Sequence, residues 1–340
     1  MPENHESWSR GYRLIQLLSS GRQFDAAGLG VELQISPDQA LDALALLQGA
    51  GLQVMHGADN TFRLSRPFEL LDASRISGDL APHVAQRLGV VEVLGHVDSS
   101  NSWLLQQPRC EIGQGRACLA EIQTAGRGRR GRQWMAPPTG SLCLSLAWHF
   151  PRILPDMSCL SLACGIAVVR ALEELGVEGV SIKWPNDLMW RDRKLAGLLV
   201  EMRSDGNGSA YVVIGLGLNL DLGVLAGKIS TGWGGVPVDL AAVAPDRVPG
   251  RNILAAAVLT SLTDILLAFP ESGFAGLREH WQRLDGLTGR RVSVHGEGGV
   301  LQGTVLGVND SGALRLMVDG EEVQCVAGEV SVRPVDATAD

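Results

Sequence analysis

The sequence predicts an α+β protein with three domains, and three observations support this prediction. Helix signals followed by an alternating hairpin fill residues 1–66. Over residues 89–285, short strands joined by tight turns alternate with helices, which predicts a mixed, mostly antiparallel sheet with helices on one side. Short strands broken by glycine-rich turns fill residues 286–335 and predict a small β-barrel of SH3-like size. Residues 67–88 form a linker between the first two domains.

The first 66 residues have the pattern of a winged helix-turn-helix. Ser36 followed by Pro37, with Gln39 three residues after the cap, is a strong helix-start signal. Two helices before this one and a hairpin after it give the order of elements found in that motif. The predicted elements are helices over 10–19, 25–33 and 37–48, and strands over 52–56 and 61–64.

The charge of this first domain argues against a simple DNA-binding role. Residues 23–62 contain no lysine or arginine, while the third helix carries Asp38 and Asp42. Neutralisation of phosphates by cations supplies most of the non-specific affinity for DNA. Either the domain binds DNA, or it serves contacts, regulation or stability. The candidate DNA contacts are Ser36, Gln39 and Arg63.

Composition excludes several functional classes. Apolar residues make up 45% of the chain and charged residues 19%, which is a normal globular balance. The net charge is -8, whereas a protein that coats nucleic acid is usually basic. Six cysteines form no C-x-x-C pair, so no metal site is predicted. The N-terminus lacks the character of a signal peptide, and the most apolar segment, residues 157–169, is better read as a core helix. We therefore expect a cytoplasmic protein with no membrane partner.

An arginine–glycine loop at residues 126–132 is the most distinctive segment of the chain. It holds four arginines within six residues, interleaved with glycines. Arginine offers a planar fork of donors to phosphate and carboxylate, and glycine lets a ligand approach the backbone closely. This pattern predicts a mobile, positively charged loop that closes over a small anionic ligand. The alternatives are a solvated basic loop or an Arg–Gly segment that binds nucleic acid.

Two further polar segments follow predicted strands. The Trp-Pro-Asn-Asp turn, residues 184–187, is flanked by Lys183 and by Lys194, two of only three lysines in the chain. Residues 99–101, Ser-Ser-Asn, lie at a strand-to-helix junction, where they cap a helix and can also bind a ligand. The sequence shows no Ser-His-Asp set and no P-loop. This combination favours chemistry between two substrates that the protein positions while it neutralises phosphate charge.

In order and spacing, three motifs resemble those of biotin protein ligases. They are Gly126–Arg132, Lys183–Leu188 (Lys-Trp-Pro-Asn-Asp-Leu) and Arg193–Leu198 (Arg-Lys-Leu-Ala-Gly-Leu). The order of the three domains is similar to that of the bifunctional bacterial ligase/repressor type, so the resemblance covers essentially the whole chain. It implies a catalytic domain like those of class II synthetases and lipoyl ligases. Position 100 is Ser where the family commonly has Thr, which preserves the hydroxyl.

The resemblance implies two half-reactions. Biotin and ATP–Mg²⁺ form biotinoyl-5′-AMP, and the adenylate then acylates one lysine of the biotin carboxyl carrier protein of acetyl-CoA carboxylase. Biotin and ATP are substrates, and no tightly bound prosthetic group is implied. The same resemblance implies a homodimer when biotinoyl-AMP is bound, and operator DNA as a partner of a biotin-operon repressor. The acidic third helix puts the repressor role in doubt.

The resemblance also assigns residues to roles. The implied biotin contacts are Ser99, Ser100, Asn101, Gln123, Arg127, Gly128, Arg129 and Lys194. The implied adenylate contacts are Arg129, Arg130, Trp134, Asn186, Asp187, Asn219 and Trp233. The implied catalytic residues are Arg127, Arg129, Lys183, Asp187 and Lys194. Whether Asp187 contacts the carrier lysine or the adenylate is open. Lys183 is either a phosphate contact or a structural lysine, and Trp233 either covers the adenine or anchors a loop.

Two rival functions remain at this point. A lipoate or octanoate ligase shares the catalytic fold, although the arginine–glycine loop and the polar residues at 99–101 favour biotin. A regulator that senses biotinoyl-AMP without catalysing its formation would use the same binding residues.

Overall fold

A computed structural model gives the fold of residues 2–66, 68–204, 208–229, 236–296, 299–326 and 331–334. Trp233, one of the adenylate contacts implied above, lies outside the described residues.

The first domain contains three helices followed by a two-stranded antiparallel hairpin, in the predicted order. Its elements are α1 (Pro2–Ser19), α2 (Ala26–Leu33), α3 (Pro37–Gly49), β1 (Val54–His56) and β2 (Phe62–Leu64). The Asp25 side chain caps α2 by accepting from the Gly28 N–H at 2.7 Å. Ser36 and Gln39 form a capping box at the start of α3. The first helix starts at Pro2 rather than residue 10, and an Arg10–Glu6 pair one turn apart supports the added length.

The core of this domain extends into the central sheet. Leu14, Leu29 and Leu47 are buried together with Ile122, which belongs to a strand of the central domain. The Tyr12 ring lies directly over Gly95, where an added Cβ would come within 2.2 Å of the ring. The first domain is therefore packed on the central domain.

The central sheet contains seven strands among the described residues. They are β3 (Leu88–Val97), β4 (Gly115–Gln123), β5 (Ser141–Phe150), β6 (Val180–Lys183), β7 (Asp187–Trp190), β8 (Arg193–Ser204) and β9 (Ala210–Asn219). Their spatial order is β3-β4-β5-β9-β8-β7-β6. The β3–β4 pair is parallel, and the other pairs are antiparallel, so the prediction of a mixed, mostly antiparallel sheet is confirmed.

Helices cover both faces of this sheet, so the prediction of helices on one side is wrong. The helices from the linker onward are α4 (Ala73–Gly78), α5 (Pro82–Ala85), α6 (Ser100–Gln106), α7 (Leu160–Glu174), α8 (Leu240–Val243), α9 (Arg251–Ser272) and α10 (Arg278–Leu284). α7 and α9 pack with one face of β5 in the main core, whereas Leu104 of α6 packs with Ala147 on the other face. The physical reason is that β5 is buried along its whole length, so its alternating side chains need cover on both faces.

Within the described residues, α9 is the one helix long and apolar enough to cross a membrane by length and composition alone. The sequence pointed instead to residues 157–169 as the most apolar segment. In the structure, 56% of the most apolar window of α9 is buried, and Leu259 and Leu266 lie in the main core. A core helix passes the same test, so this helix is weak evidence for a membrane span.

The C-terminal domain is an antiparallel sheet. Its strands among the described residues are β10 (Arg291–Gly296), β11 (Gly299–Val308), β12 (Leu314–Val318), β13 (Glu321–Cys325) and β14 (Ser331–Pro334), in the order β13-β12-β11-β10-β14. A register shift bends β11 between Val305 and Gly307, where Gly307 has φ +110°. The turn after β11 reaches the central domain, because the Trp184 indole N–H donates to the Gly312 carbonyl at 3.0 Å.

Candidate active site

A cavity of roughly 490 Å³ lies over the central sheet, beneath the arginine–glycine loop. The start of α6 and strands β4, β5, β8 and β9 contribute side chains to it, and Arg333 of the C-terminal sheet reaches its rim. The volume lies within the range that holds a small ligand or cofactor. Polar side chains from separate strands therefore meet at one place.

One end of the cavity is a chain of neutral polar side chains. The Ser100 backbone N–H donates to the Gln123 side-chain oxygen at 2.8 Å, and the Ser100 and Ser145 hydroxyls are 2.7 Å apart. The Ser145 hydroxyl donates to Asn101 Oδ1 at 2.6 Å. Ser99 caps α6, with its hydroxyl accepting from the Ser102 N–H. This end offers both donors and acceptors to a neutral polar ligand group.

The arginine–glycine loop has a defined fold above the cavity. The Gly128 N–H donates to the Arg132 carbonyl at 2.7 Å, and the Trp134 N–H donates to the Gly126 carbonyl at 2.8 Å. Arg130 takes φ +57°, a left-handed conformation that non-glycine residues seldom adopt.

Three arginines of the loop contact separate parts of the protein. Arg127 pairs with Glu201 at 2.6 Å. Arg129 donates to the Asn186 side-chain oxygen at 3.3 Å, and Arg130 donates to the His295 carbonyl of the C-terminal sheet at 3.2 Å. Burial lowers the pKa of the Arg129 guanidinium. The loop thus spans from β8 to the C-terminal sheet.

A buried ion cluster forms the opposite wall of the cavity. Asp187 receives Lys183 Nζ at 2.8 Å on one oxygen and Lys194 Nζ at 2.6 Å on the other. Lys183 and Asp187 are each only 7% exposed. Burial alone would raise the pKa of Asp187, but the two ammonium groups hold it well below its usual range. Burial lowers the pKa of Lys183, although Asp187 opposes this effect.

Glycines give the cavity a flat backbone floor. Gly197 of β8 and Gly217 of β9 are paired across the sheet, and the Trp134 ring lies directly on Gly217. An added Cβ at Gly217 would meet this ring at 2.2 Å, so the position requires glycine. Lys194 Nζ is 5.5 Å from the centre of the Trp134 ring, close enough for a cation–π contact. Trp134 Nε1 is buried and has no hydrogen-bond partner among the described residues.

Asn186 and Asn219 line the cavity, but both of their side-chain amides are bonded to backbone. Asn186 Nδ2 donates to the Leu198 carbonyl at 2.6 Å, and Asn219 Nδ2 donates to the Val238 carbonyl at 3.0 Å. The first bond fixes the turn at residues 184–187 against β8, and the second fixes the end of β9 against the segment before α8. The Asn186 side-chain oxygen accepts from Arg129 on its other side.

The structure brings nearly all of the implied ligand-site residues into one cavity. Those that line it are Ser99, Ser100, Asn101, Gln123, Arg127, Gly128, Arg129, Arg130, Trp134, Lys183, Asn186, Asp187, Lys194 and Asn219. Trp233 falls outside the described residues. The candidate DNA contacts Ser36, Gln39 and Arg63 lie in the first domain, where Ser36 and Gln39 use their side chains to cap α3.

Two polar residues at or beside the cavity were not identified from the sequence. Ser145 lies in the middle of an apolar strand, and a lone hydroxyl at a buried position was the signal that could have revealed it. Glu201 ends the apolar run of β8, and its role depends on a contact with Arg127, 74 residues earlier in the chain. No local pattern reports such a distant pair.

Comparisons with known proteins agree with this geometry. Residues 94–219 match the model of the biotin/lipoate A/B protein ligase family, and residues 287–333 match the biotin protein ligase C-terminal domain. The chain is 34% identical over 325 residues to the bifunctional ligase/repressor BirA of Escherichia coli, covering 95% of this chain and 97% of that protein. It is 35% identical over 324 residues to the protein of the same name from Salmonella typhimurium, with the same coverage.

A solved structure shows the same likeness. The biotin protein ligase from Aquifex aeolicus in complex with biotin and ATP superposes with a TM-score of 0.60 at 26% identity, covering 72% of this chain and 99% of that one. The match to the two bifunctional relatives covers 95% of this chain. The chain therefore belongs to the biotin protein ligase family.

Proposed function

We propose that the chain is an ATP-dependent biotin–[acetyl-CoA carboxylase] ligase. The observation that carries this proposal is the cavity itself, which has neutral polar side chains at one end and a cluster of cations at the other. Biotin has a neutral ureido head and a carboxylate tail, so it matches the two ends in polarity. The relatives that cover nearly the whole chain are named bifunctional ligase/repressors.

The neutral end would hold the ureido head of biotin. Ser99, Ser100, Asn101 and Gln123 supply hydroxyl and amide groups there, and the Ser145 hydroxyl extends the same network. A buried ureido group needs its oxygen and both N–H groups paired, because an unpaired polar group costs about 1–3 kcal/mol. These side chains offer both donors and acceptors at that end.

The cationic end would bring two anions together. In the first half-reaction an oxygen of the biotin carboxylate attacks the α-phosphorus of ATP. The bond between the α- and β-phosphates breaks, and pyrophosphate leaves with both electrons of that bond. The carboxylate and the triphosphate repel each other, and Lys194 and Arg129 are placed to neutralise both. Asp187 holds the Lys194 ammonium in position at 2.6 Å.

In the second half-reaction the neutral amine of the carrier lysine attacks the carbonyl carbon of the adenylate. An amide forms, AMP leaves, and the amine gives up a proton. The adenylate is a mixed anhydride that water hydrolyses, so the loop above the cavity would protect it. Arg130, Trp134 and Asn219 line the cavity, and we propose that they contact the AMP group. Trp233 stays a proposed adenine contact that lies outside the described residues.

We propose domain boundaries that follow the same division. Residues 1–66 form a winged helix-turn-helix, 67–88 a linker, 89–285 the catalytic domain and 286–335 an SH3-like domain. We propose a cytoplasmic location, which suits a ligase whose substrate is the biotin carboxyl carrier protein of acetyl-CoA carboxylase.

A homodimer of the adenylate-bound form is part of the proposal. Strand β8 continues to Ser204, beyond its last β7 pairing at Gly197. In the part of the chain that the structure describes, no strand pairs with that stretch on the β7 side. An unpaired strand edge is a template for pairing with a second chain.

Release of pyrophosphate in the presence of different acids tests the ligase proposal. We expect ATP–Mg²⁺ to yield pyrophosphate with biotin, and to yield little with lipoate or octanoate. Release with lipoate or octanoate but not biotin would assign the chain to that other ligase activity. Tight binding of synthetic biotinoyl-AMP without any release would assign it to the non-catalytic regulators.

We infer operator binding as a second candidate function. It is favoured by the three helices and hairpin of the first domain, and by the names of the relatives that also cover that domain. The exposed side of α3 carries Asp38 and Asp42, and its start residues are engaged in the capping box. Asp38 and Asp42 would repel DNA phosphates, so we expect few contacts that neutralise phosphates. Arg63 of β2 is an exposed cation that would supply one of them.

Salt dependence tests the second candidate. Each phosphate neutralised contributes about -0.9 to the slope of log affinity against log salt. We expect adenylate-bound protein to bind operator DNA with a shallow slope, which fluorescence anisotropy at several salt concentrations would report. Absence of binding at low salt with biotinoyl-AMP present would rule out the repressor role.

A further inference from the structure

We propose that Arg127 is a latch that holds the arginine–glycine loop in place, and that Glu201 is the positioning residue that receives it. The sequence and the resemblance assign Arg127 to ligand binding and catalysis. In the structure, its guanidinium pairs instead with a protein carboxylate, that of Glu201. This inference rests on the proposed ligase function for its kinetic consequences, but the latch itself is a property of the unliganded chain.

The first observation is a shared oxygen. Glu201 Oε2 accepts from Arg127 Nη2 at 2.6 Å and from Asn101 Nδ2 at 3.0 Å. Arg127 belongs to the loop above the cavity, and Asn101 belongs to the neutral end of the cavity. One carboxylate oxygen therefore connects the loop to the residues proposed to hold the head of biotin.

The second observation is that Glu201 fixes the orientation of the Asn101 amide. The Ser145 hydroxyl donates to Asn101 Oδ1 at 2.6 Å, so the oxygen must face Ser145. The amide nitrogen then faces Glu201 and the Leu199 carbonyl, which are both acceptors. The amide also lies on Gly215, where an added Cβ would come within 2.3 Å of it. With a donor on one side and acceptors on the other, the Asn101 amide has one favourable orientation.

The third observation separates the arginines of the loop by partner. Arg129 donates to Asn186 and is attracted by the negative charge of Asp187. Both residues belong to the wall of the cavity where the anionic groups of the substrates would lie. Arg127 faces β8 at the other side. Its side chain is 41% exposed and that of Glu201 is 25% exposed, so water screens their charge attraction. The strength of the contact therefore depends more on hydrogen-bond geometry than on Coulomb energy. The hydrogen bond from the uncharged Asn101 amide also holds the Glu201 carboxylate in place.

A consequence is that the loop and the neutral end of the cavity are coupled. When the loop lifts, Glu201 loses the Arg127 guanidinium and keeps only the Asn101 amide. When Glu201 is absent, the loop loses its contact on β8 and the Asn101 amide loses one of the acceptors that orient it. Removal of either partner should therefore loosen the loop to a similar degree.

A double-mutant cycle distinguishes a latch from a ligand contact. The variants are Arg127→Gln, Glu201→Gln and the double variant, and the measurement is the release rate of preformed biotinoyl-AMP. We expect each single variant to release it roughly threefold to tenfold faster, the range for a partly exposed charge-assisted pair. The double variant should be no faster than the single ones. An Arg127→Gln effect that is undiminished in the Glu201→Gln background would overturn the proposal, because Arg127 would then act on the ligand.

Hydrogen exchange of the unliganded protein provides a readout independent of biotin. Amides of residues 126–134 should exchange faster in both single variants than in the unmodified chain, by about the same factor. Unchanged exchange in Glu201→Gln would overturn the latch even if the chain proves to be a ligase. If instead the exchange changes and no variant binds biotinoyl-AMP, the latch stands and the proposed function fails.

A matched control comes from the C-terminal sheet. Arg315 and Glu322 form a similar surface pair at 2.7 Å, far from the loop in the sequence. Glu322→Gln should leave both adenylate release and loop exchange unchanged. Thermal unfolding of Glu201→Gln checks that this isosteric change preserves the fold, and Glu201→Asp adds a variant that keeps the charge but shortens its reach.

Discussion

At the scale of single residues, one buried carboxylate pairs with both lysines of the cavity wall. Asp187 pairs with both Lys183 and Lys194, and their charges hold it ionised. Lys194 packs closely on Gly197, where an added Cβ would come within 3.2 Å of its Nζ, so the glycine leaves room for the ammonium group.

Replacement of Lys194 tests this arrangement. Lys194→Ala should lower the rate of biotinoyl-AMP formation by about 10²–10³-fold, the range for loss of one preorganised group that stabilises developing charge. Biotin-dependent pyrophosphate release measures it. The control is Lys228→Ala, which removes an exposed lysine and should behave like the unmodified chain. Equal rates for Lys194→Ala and Lys228→Ala would contradict the role given to Lys194.

The pH dependence of Asp187 follows from the sign of its shift. A carboxyl whose pKa is lower in the folded than in the unfolded chain stabilises the fold above its ordinary pKa. That stabilisation is lost as the pH falls from about 4 toward the lower folded value. Urea unfolding between pH 7 and pH 3 should therefore show a loss of stability that is smaller in Asp187→Asn. A loss of the same size in both proteins would contradict this assignment.

At the scale of elements, the linker is fixed to the central domain by a buried polar cluster. The Leu71 N–H donates to Glu121 Oε1 at 2.6 Å, and Arg251 at the start of α9 lies 2.7 Å from the other oxygen of Glu121. Arg251 Nη1 also donates to the Glu69 carbonyl at 2.8 Å. Glu121 is two residues before Gln123, so this cluster supports the strand that ends at the cavity.

Breaking this cluster should destabilise the fold. Arg251→Met leaves the Glu121 carboxylate buried without its cation, which costs about 3–5 kcal/mol for a buried pair. Equilibrium unfolding in urea measures the change in free energy. The exposed pair Arg278–Asp310 is the control, since Arg278→Met should change the stability by at most about 1 kcal/mol. Similar losses for the two variants would contradict a structural role for the buried pair.

The elements themselves were largely predictable from local patterns. The third helix of the first domain begins where Ser36, Pro37 and Gln39 predict it, because capping depends on neighbouring residues. The placement of α6 on the opposite face of the sheet was not predictable, because it depends on how fully β5 is buried. Likewise the residues around the cavity were found through their motifs, whereas Glu201 acts through a contact with a distant part of the chain.

At the scale of the whole molecule, residues of the central and C-terminal sheets meet at the cavity, and the N-terminal helices pack on the central sheet. The first domain packs on β3 and β4, and Ile122 of β4 belongs to its core. The C-terminal sheet contacts the loop through His295 and contacts the turn at residues 184–187 through Gly312. The loop is therefore attached to the β8 strand at one point and to the C-terminal sheet at another.

The central claim is that this cavity activates biotin and transfers it to a carrier lysine. The most direct measurement is the intact mass of a biotin carboxyl carrier domain after incubation with the chain, biotin and ATP–Mg²⁺. The account predicts that the carrier gains the mass of one biotinoyl group on a single lysine, and that Lys194→Ala abolishes most of this gain. A carrier that stays unmodified under these conditions, or that accepts lipoate in place of biotin, would contradict it.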